Sequence, residues 1–218
     1  MAIPGRQTIG NIKLSSPVTM NNEYLIFIPA GYSKGSKCLP LILFLHGAGE
    51  RGRSIESVKR HGLPKFLDSE NDFPFIVASP QCREDMRWNP AELICFLDEV
   101  AAAYNADKSR IYLTGLSMGG FGTWLTALKY PDRFAAIAPV CGGGDPSIAC
   151  NIKDLPVWAF HGAKDKVVPI ERSIEMIDAI KYCGGSPLFT VYPDAGHDSW
   201  TETYNNPGLY EWFLKNKR

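Results

Sequence analysis

The 218-residue chain has no excess of either charge, because its 23 lysines and arginines are matched by 23 aspartates and glutamates. No long-range field then gathers nucleic acid or an anionic membrane surface, and the expected partner is a small or neutral molecule. No uninterrupted apolar run reaches the length of a membrane span, and Met1-Ala2-Ile3-Pro4-Gly5-Arg6 lacks a charged stretch leading into an apolar one. These absences predict a soluble, cytoplasmic protein with no membrane partner. Metal signatures are missing too. His46, His61, His161 and His197 stand far apart, with no H-E-x-x-H or paired Cys/His spacing, so neither a metal nor another cofactor is expected. The six cysteines include no C-x-x-C pair and several sit in apolar runs, which predicts reduced core thiols; a Cys141–Cys150 bridge is the alternative for an exported protein. The oligomeric state is not legible.

What is present is a composition of 45% hydrophobic and 21% charged residues, that of a globular protein with a sizeable core. Residues 8–14 and 22–28 alternate as strands, the second stopping at Pro29, and suggest an antiparallel start to a sheet. Residues 39–45 form a continuous apolar run ending in His46-Gly47-Ala48-Gly49, the pattern of a buried parallel strand that delivers a glycine-rich loop to the sheet's carboxyl edge. Further strands are expected at 75–79, 109–114, 134–140, 155–160 and 188–192. Helices are expected at 91–104, from the 117 region to Pro131, and at 170–182 and 209–215, with a short one around 55–60. Strands alternating with helices imply an α/β fold, a mostly parallel central sheet with helices on both faces. No linker, repeat or low-complexity segment divides residues 1–218, so one domain is expected.

The chain is organised around Gly115-Leu116-Ser117-Met118-Gly119-Gly120, where a serine between glycines leaves a strand and enters a helix. Such a strained turn lifts the hydroxyl into the open, and the glycines leave room for closely approaching backbone. A serine hydroxyl needs a base and an orienting carboxylate to become a nucleophile. His197, after the last strand, is the candidate base. Asp165, in the loop after 155–160, is the candidate acid, with Asp145 in Gly142-Gly143-Gly144-Asp145 as its competitor. The order Ser, Asp, His is the one a nucleophile elbow requires. Oxyanion donors are expected at the backbone N–H groups of Met118 and Ala48, with Gly49 as second choice for the latter. His46 and His161 read as hydrogen-bonded structural residues, His61 as solvated, and Asp194 and Asp198 as turn residues. Trp200, Phe121 and Trp88 are the candidate substrate-binding aromatics, each with core packing as the alternative. Only residues 141–154 separate two of the strands, too few for a cap over the site.

Leu45-His46-Gly47-Ala48-Gly49-Glu50-Arg51-Gly52, the Gly115 to Gly120 elbow, Phe160-His161-Gly162-Ala163-Lys164-Asp165 and Gly196-His197-Asp198-Ser199-Trp200 together resemble the alpha/beta-hydrolase superfamily. Within it the chain is similar to small serine esterases related to dienelactone hydrolases, polyhydroxybutyrate depolymerases and the catalytic domain of prolyl oligopeptidases. It departs from dienelactone hydrolases in having Ser117 where they have cysteine, and from prolyl oligopeptidases in lacking a propeller. The resemblance implies a cofactor-free carboxylesterase acting on a small-molecule ester. A peptidase or acyl-protein thioesterase with the same triad, and a non-catalytic ligand-binding protein of the same fold, are the competing readings.

Overall fold

The computed structural model describes residues 2–12, 19–33, 38–70 and 72–218. Eight strands form one sheet in the order β1-β2-β4-β3-β5-β6-β7-β8: Arg6–Asn11, Met20–Ile28, Ile76–Cys82, Leu39–Leu45, Ala106–Leu116, Ala136–Val140, Trp158–Gly162 and Leu188–Tyr192. β1 and β2 are antiparallel, as is β2 to β4, and every later pairing is parallel. The antiparallel start and the alpha/beta-hydrolase arrangement expected from the sequence are therefore present. Leu14, at the end of the first expected strand, lies outside the described residues.

The period-2 geometry of strands explains why the central ones read as continuous apolar runs. Along β3, Leu41, Leu43 and Leu45 enter one core with Leu93 and Leu97 of α2 (Pro90–Ala103), Trp124 of α3 (Met118–Lys129) and Met176 of α4 (Glu171–Tyr182). Ile42 and Phe44 point the other way, into a second core with Leu63 of α1 (Gly62–Leu67), Tyr204 of α5 (Trp200–Tyr204) and Phe213 of α6 (Pro207–Lys215). Both faces are covered. α1 and α5 have no counterpart in the sequence reading: α1 holds Gly62 and Pro64, which read as breakers, and α5 spans only 5 residues. Residues 55–60 form a 3-10 helix rather than an α-helix.

The cysteine expectation needs correcting. Cys150 pairs with Cys183, neither a thiol nor a partner of Cys141, while Cys82 and Cys141 are buried thiols and Cys38 and Cys95 exposed ones. The bridge ties the 3-10 segment Pro146–Ile152 to the C-cap of α4, across a sequence separation of 33. A loop of that length predicts that Cys150→Ser/Cys183→Ser loses roughly 3–4 kcal/mol of stability, read by denaturant unfolding with the midpoint lowered and the slope somewhat raised as the unfolded chain expands. A double variant as stable as the oxidised wild type would contradict the pairing. Among the described residues no helix is long and apolar enough to cross a membrane.

Candidate active site

At the carboxyl end of β5 the chain turns into α3 through Ser117, whose φ of 52° and ψ of −116° lie outside the regions open to ordinary side chains. Such a residue costs about 1–3 kcal/mol and persists only where its surroundings hold it. They do so here: Ser117 N–H donates to Val140 O at 3.0 Å, and Ser117 O accepts from Phe121 N–H at 3.0 Å. The flanking glycines are sterically required. A Cβ on Gly115 would lie 2.6 Å from both Gly119 O and Leu45 O, and one on Gly119 would overlap the Leu45 carbonyl. The elbow is thus wedged against the end of β3, with Gly119 against Leu45 and His46 O and Gly47 against Leu116.

The loops after β7 and β8 are joined to each other by Ala163 N–H to Tyr192 O and Lys164 N–H to Ala195 O, both 2.9 Å. Gly162 lets residues 195 and 196 pass against β7, since a Cβ there would strike their carbonyls. This seats His197 between the other two predicted residues: Nε2 is 2.9 Å from Ser117 Oγ and Nδ1 is 2.7 Å from Asp165 Oδ2. Asp165 Oδ1 accepts from Val167 N–H at 2.8 Å and Val168 N–H at 2.9 Å. Burial works to raise the Asp165 pKa, but the bonds from His197, Val168 and Val167 outweigh it and hold the carboxyl below its ordinary range. An ionised Asp165 facing Nδ1 demands a proton there, which leaves the Nε2 lone pair facing the serine hydroxyl. The competitor Asp145 is exposed, and its carboxylate accepts from Ser147 N–H and Oγ at 3.0 and 2.6 Å. Asp198 accepts from Thr201 at the start of α5, and Asp194 pairs with Lys164, so both behave as turn residues.

Ala48 opens a 3-10 turn (Ala48–Glu50) and Met118 opens α3, so each supplies a first-turn N–H that has no partner within its own helix. Ala48 and Gly49 are exposed, whereas the loop's anchors are buried. His46 Nε2 accepts from Cys82 N–H at 2.9 Å, so Nδ1 carries the proton and donates to Gly47 O at 2.6 Å. Gln81 Nε2 donates to Glu50 O and Ser54 O, both 2.8 Å. Burial pushes the Glu50 carboxyl up, against the pull of His61 and of Gly47 N–H. Burial also lowers the His46 pKa to about 4. Unfolded histidine takes up a proton near 6.5, so between about 6.5 and 4 the unfolded chain binds the extra proton and stability falls as pH drops. His46 should contribute roughly 3 kcal/mol of destabilisation across that window. A His46→Gln variant is predicted to be less stable at pH 7 but flatter from pH 7 to 4; an unchanged slope would contradict the assignment.

Of the three candidate aromatics, Trp200 stands at the site, its ring 5.2 Å from that of His197 and nearly perpendicular to it. It also forms one wall of a cleft of about 210 Å³ between α1 and α5, shared with Lys65, Phe66, Thr201 and Asn205. Trp88 does not fit its expected role: it is 5% exposed, packs on His46 and Gly122, and donates its indole N–H to His46 O at 3.1 Å. Phe121 is half-buried and leans on Gly143, on the side of the elbow helix facing α4. His61 keeps its side chain 44% exposed, as expected, and also lies 5.6 Å from the Trp200 ring, with Nε2 3.8 Å from Glu50 Oε1. Glu50 and His61 were missed as neighbours of the site, because nothing in their spacing ties residue 61 to residue 200. A cleft of about 440 Å³ lies at the amino ends of β7 and β8, on the edge opposite Ser117. Cys141, Asp165 and His197 bring potential metal-binding atoms within 4.8 Å of one another. Burial pushes the Cys141 thiol up to about 12, however, and Asp165 and His197 already bind each other, so this set offers no ready thiolate.

Residues 83–206 match the family described as phospholipase/carboxylesterase. A solved thermostable esterase superposes with a TM-score of 0.84 at 32% identity, covering 99% of this chain and 64% of the other. The bifunctional acetylxylan esterase/xylanase of Neocallimastix patriciarum is 27% identical over 158 residues, 67% of this chain and 22% of its own length. The poly(3-hydroxyalkanoate) depolymerase C of Paucimonas lemoignei is 29% identical over 140 residues, 56% of this chain and 32% of its own. The chain thus spans only about a fifth to a third of these curated relatives. With the elbow, the sheet order and more than half of the sequence matched, the chain belongs to the phospholipase/carboxylesterase family of the alpha/beta-hydrolase superfamily.

Proposed function

We propose that the protein is a serine carboxylesterase that cleaves small carboxylic esters through an acyl-enzyme on Ser117. The observation that carries this reading is His197 bridging Ser117 Oγ at 2.9 Å and Asp165 Oδ2 at 2.7 Å. In the proposed reaction, His197 Nε2 takes the serine proton as Oγ attacks the ester carbonyl. The oxyanion is received by the N–H groups of Met118 and Ala48, and His197 returns the proton to the departing alcohol. Water activated by the same imidazole then releases the acid. Asp165 keeps the proton on Nδ1 and stabilises the imidazolium. The esterases among the relatives support an ester as substrate.

One feature favours short acyl groups. Between β6 and β7 the chain makes only a turn and the 3-10 segment Pro146–Ile152, so no cap is inserted over the site there. An acyl methylene left in water forgoes the roughly 0.8 kcal/mol that burial contributes, which is about fourfold in kcat/KM. Across p-nitrophenyl esters, kcat/KM is expected to favour short acyl chains of about two to four carbons and to show no activation at lipid interfaces. A steady fourfold rise per methylene into long chains would mean a deep acyl tunnel and overturn the open site. The Cys150–Cys183 bridge supports an oxidising compartment over the cytoplasm expected from the sequence.

A further inference from the structure

We propose that His161 is a positioning residue for the triad, holding the Asp165 turn so that its carboxylate stays aimed at His197; this rests on the serine-hydrolase reading above. His161 sits on β7 with its side chain fully buried. Its Nε2 lies 2.9 Å from Val168 O and 3.3 Å from Asp165 Oδ2. Both neighbours are acceptors only, so Nε2 carries a proton and presents it to them. Oδ2 is the same oxygen that receives His197 Nδ1–H.

The Val168 peptide is thereby fixed at both ends. Its N–H donates to Asp165 Oδ1 at 2.9 Å while its carbonyl accepts from His161. The turn from Asp165 to Val168 can therefore rotate only if one of those bonds breaks. The imidazole is held in turn from its other side: Nδ1 is 2.8 Å from Ser173 Oγ on α4, which donates to Gly142 O at 3.0 Å or to the ring. A chain of contacts thus runs from the loop after β6, through α4 and β7, to the triad carboxylate. Without the Nε2–H, Asp165 Oδ2 keeps a single side-chain donor and the turn loses its inner anchor, so His197 would be less firmly oriented.

Two amide substitutions separate this role from plain packing. Gln at 161 can place an N–H near the Nε2 position, whereas Asn reaches only as far as Nδ1 and keeps the Ser173 side. His161→Asn is expected to lose roughly ten- to a hundredfold in kcat on a p-nitrophenyl ester with KM within about threefold, the scale of a misplaced catalytic group. His161→Gln should stay within about threefold of wild type, and the far-downfield proton resonance of His197 Nδ1–H should persist in the Gln variant and weaken in the Asn one. Equal losses, the reverse ranking, unchanged activity in both, or failure of both variants to fold would each overturn the proposal. Wild-type reaction with a fluorophosphonate is recorded first. A wild type that does not react removes the serine-hydrolase reading itself, and with it any role of His161 in that reaction.

Discussion

Ser117→Ala should lower kcat for ester hydrolysis by roughly 10⁵- to 10⁶-fold without unfolding the protein, because nucleophile and base act as a unit. The expected residual activity is that of binding and oxyanion contacts alone. Among the described residues the hydroxyl's side-chain partner is His197, which is partly exposed, so its removal leaves no group stranded in the core. Ser117→Gly should be just as inactive and yet up to about 1 kcal/mol more stable, since glycine accepts a φ of 52° without strain while the unfolded chain gains some freedom. Inactivity with raised stability would show that the elbow stores strain for its chemistry. A Ser117→Ala protein retaining more than about a tenth of wild-type kcat would remove Ser117 from the reaction.

Asp165→Asn should reduce kcat by about 10⁴ with little change in KM. The amide can turn its NH₂ toward His197, which then keeps its proton on Nε2 and presents a donor where Ser117 needs an acceptor. Loss of the carboxylate also removes the charge that would stabilise the imidazolium. The Asp165 carboxyl is held below its ordinary range by His197, Val168 and Val167 in spite of burial, so it stays ionised throughout the neutral range and the effect should appear at every pH from 6 to 9 or so. Asp145→Asn is the control. Its carboxylate serves Ser147 at the start of a 3-10 segment, and activity should change less than about twofold. The reverse ranking would move the acid to the loop after β6.

The elements legible in the sequence were those whose cause is local. β3 reads as a strand because Leu39–Leu45 is apolar on both faces, and α3 because Phe121, Trp124, Leu125 and Leu128 follow a helical period up to Pro131. Ser117, Asp165 and His197 were legible because the fold delivers each from a loop at the same sheet edge in a fixed chain order. What escaped depends on distant packing. Cys183 meets Cys150 only because α4 lies against the segment after β6, a contact that no cysteine spacing encodes. Trp88 and Trp200 look alike as aromatics beside motifs, yet one is turned into the core by its bond to His46 O and the other borders the cleft. His161 was readable as structural, but its neighbours Val168 O and Asp165 Oδ2 come together only once the turn after β7 has closed.

The most direct test of the central claim is treatment of the native protein with a fluorophosphonate, followed by peptide mass mapping. The account predicts one stoichiometric adduct, located on Ser117, slowed by roughly 10³-fold or more in His197→Ala and absent in Ser117→Ala. No adduct, or an adduct on a serine outside the elbow, would contradict it.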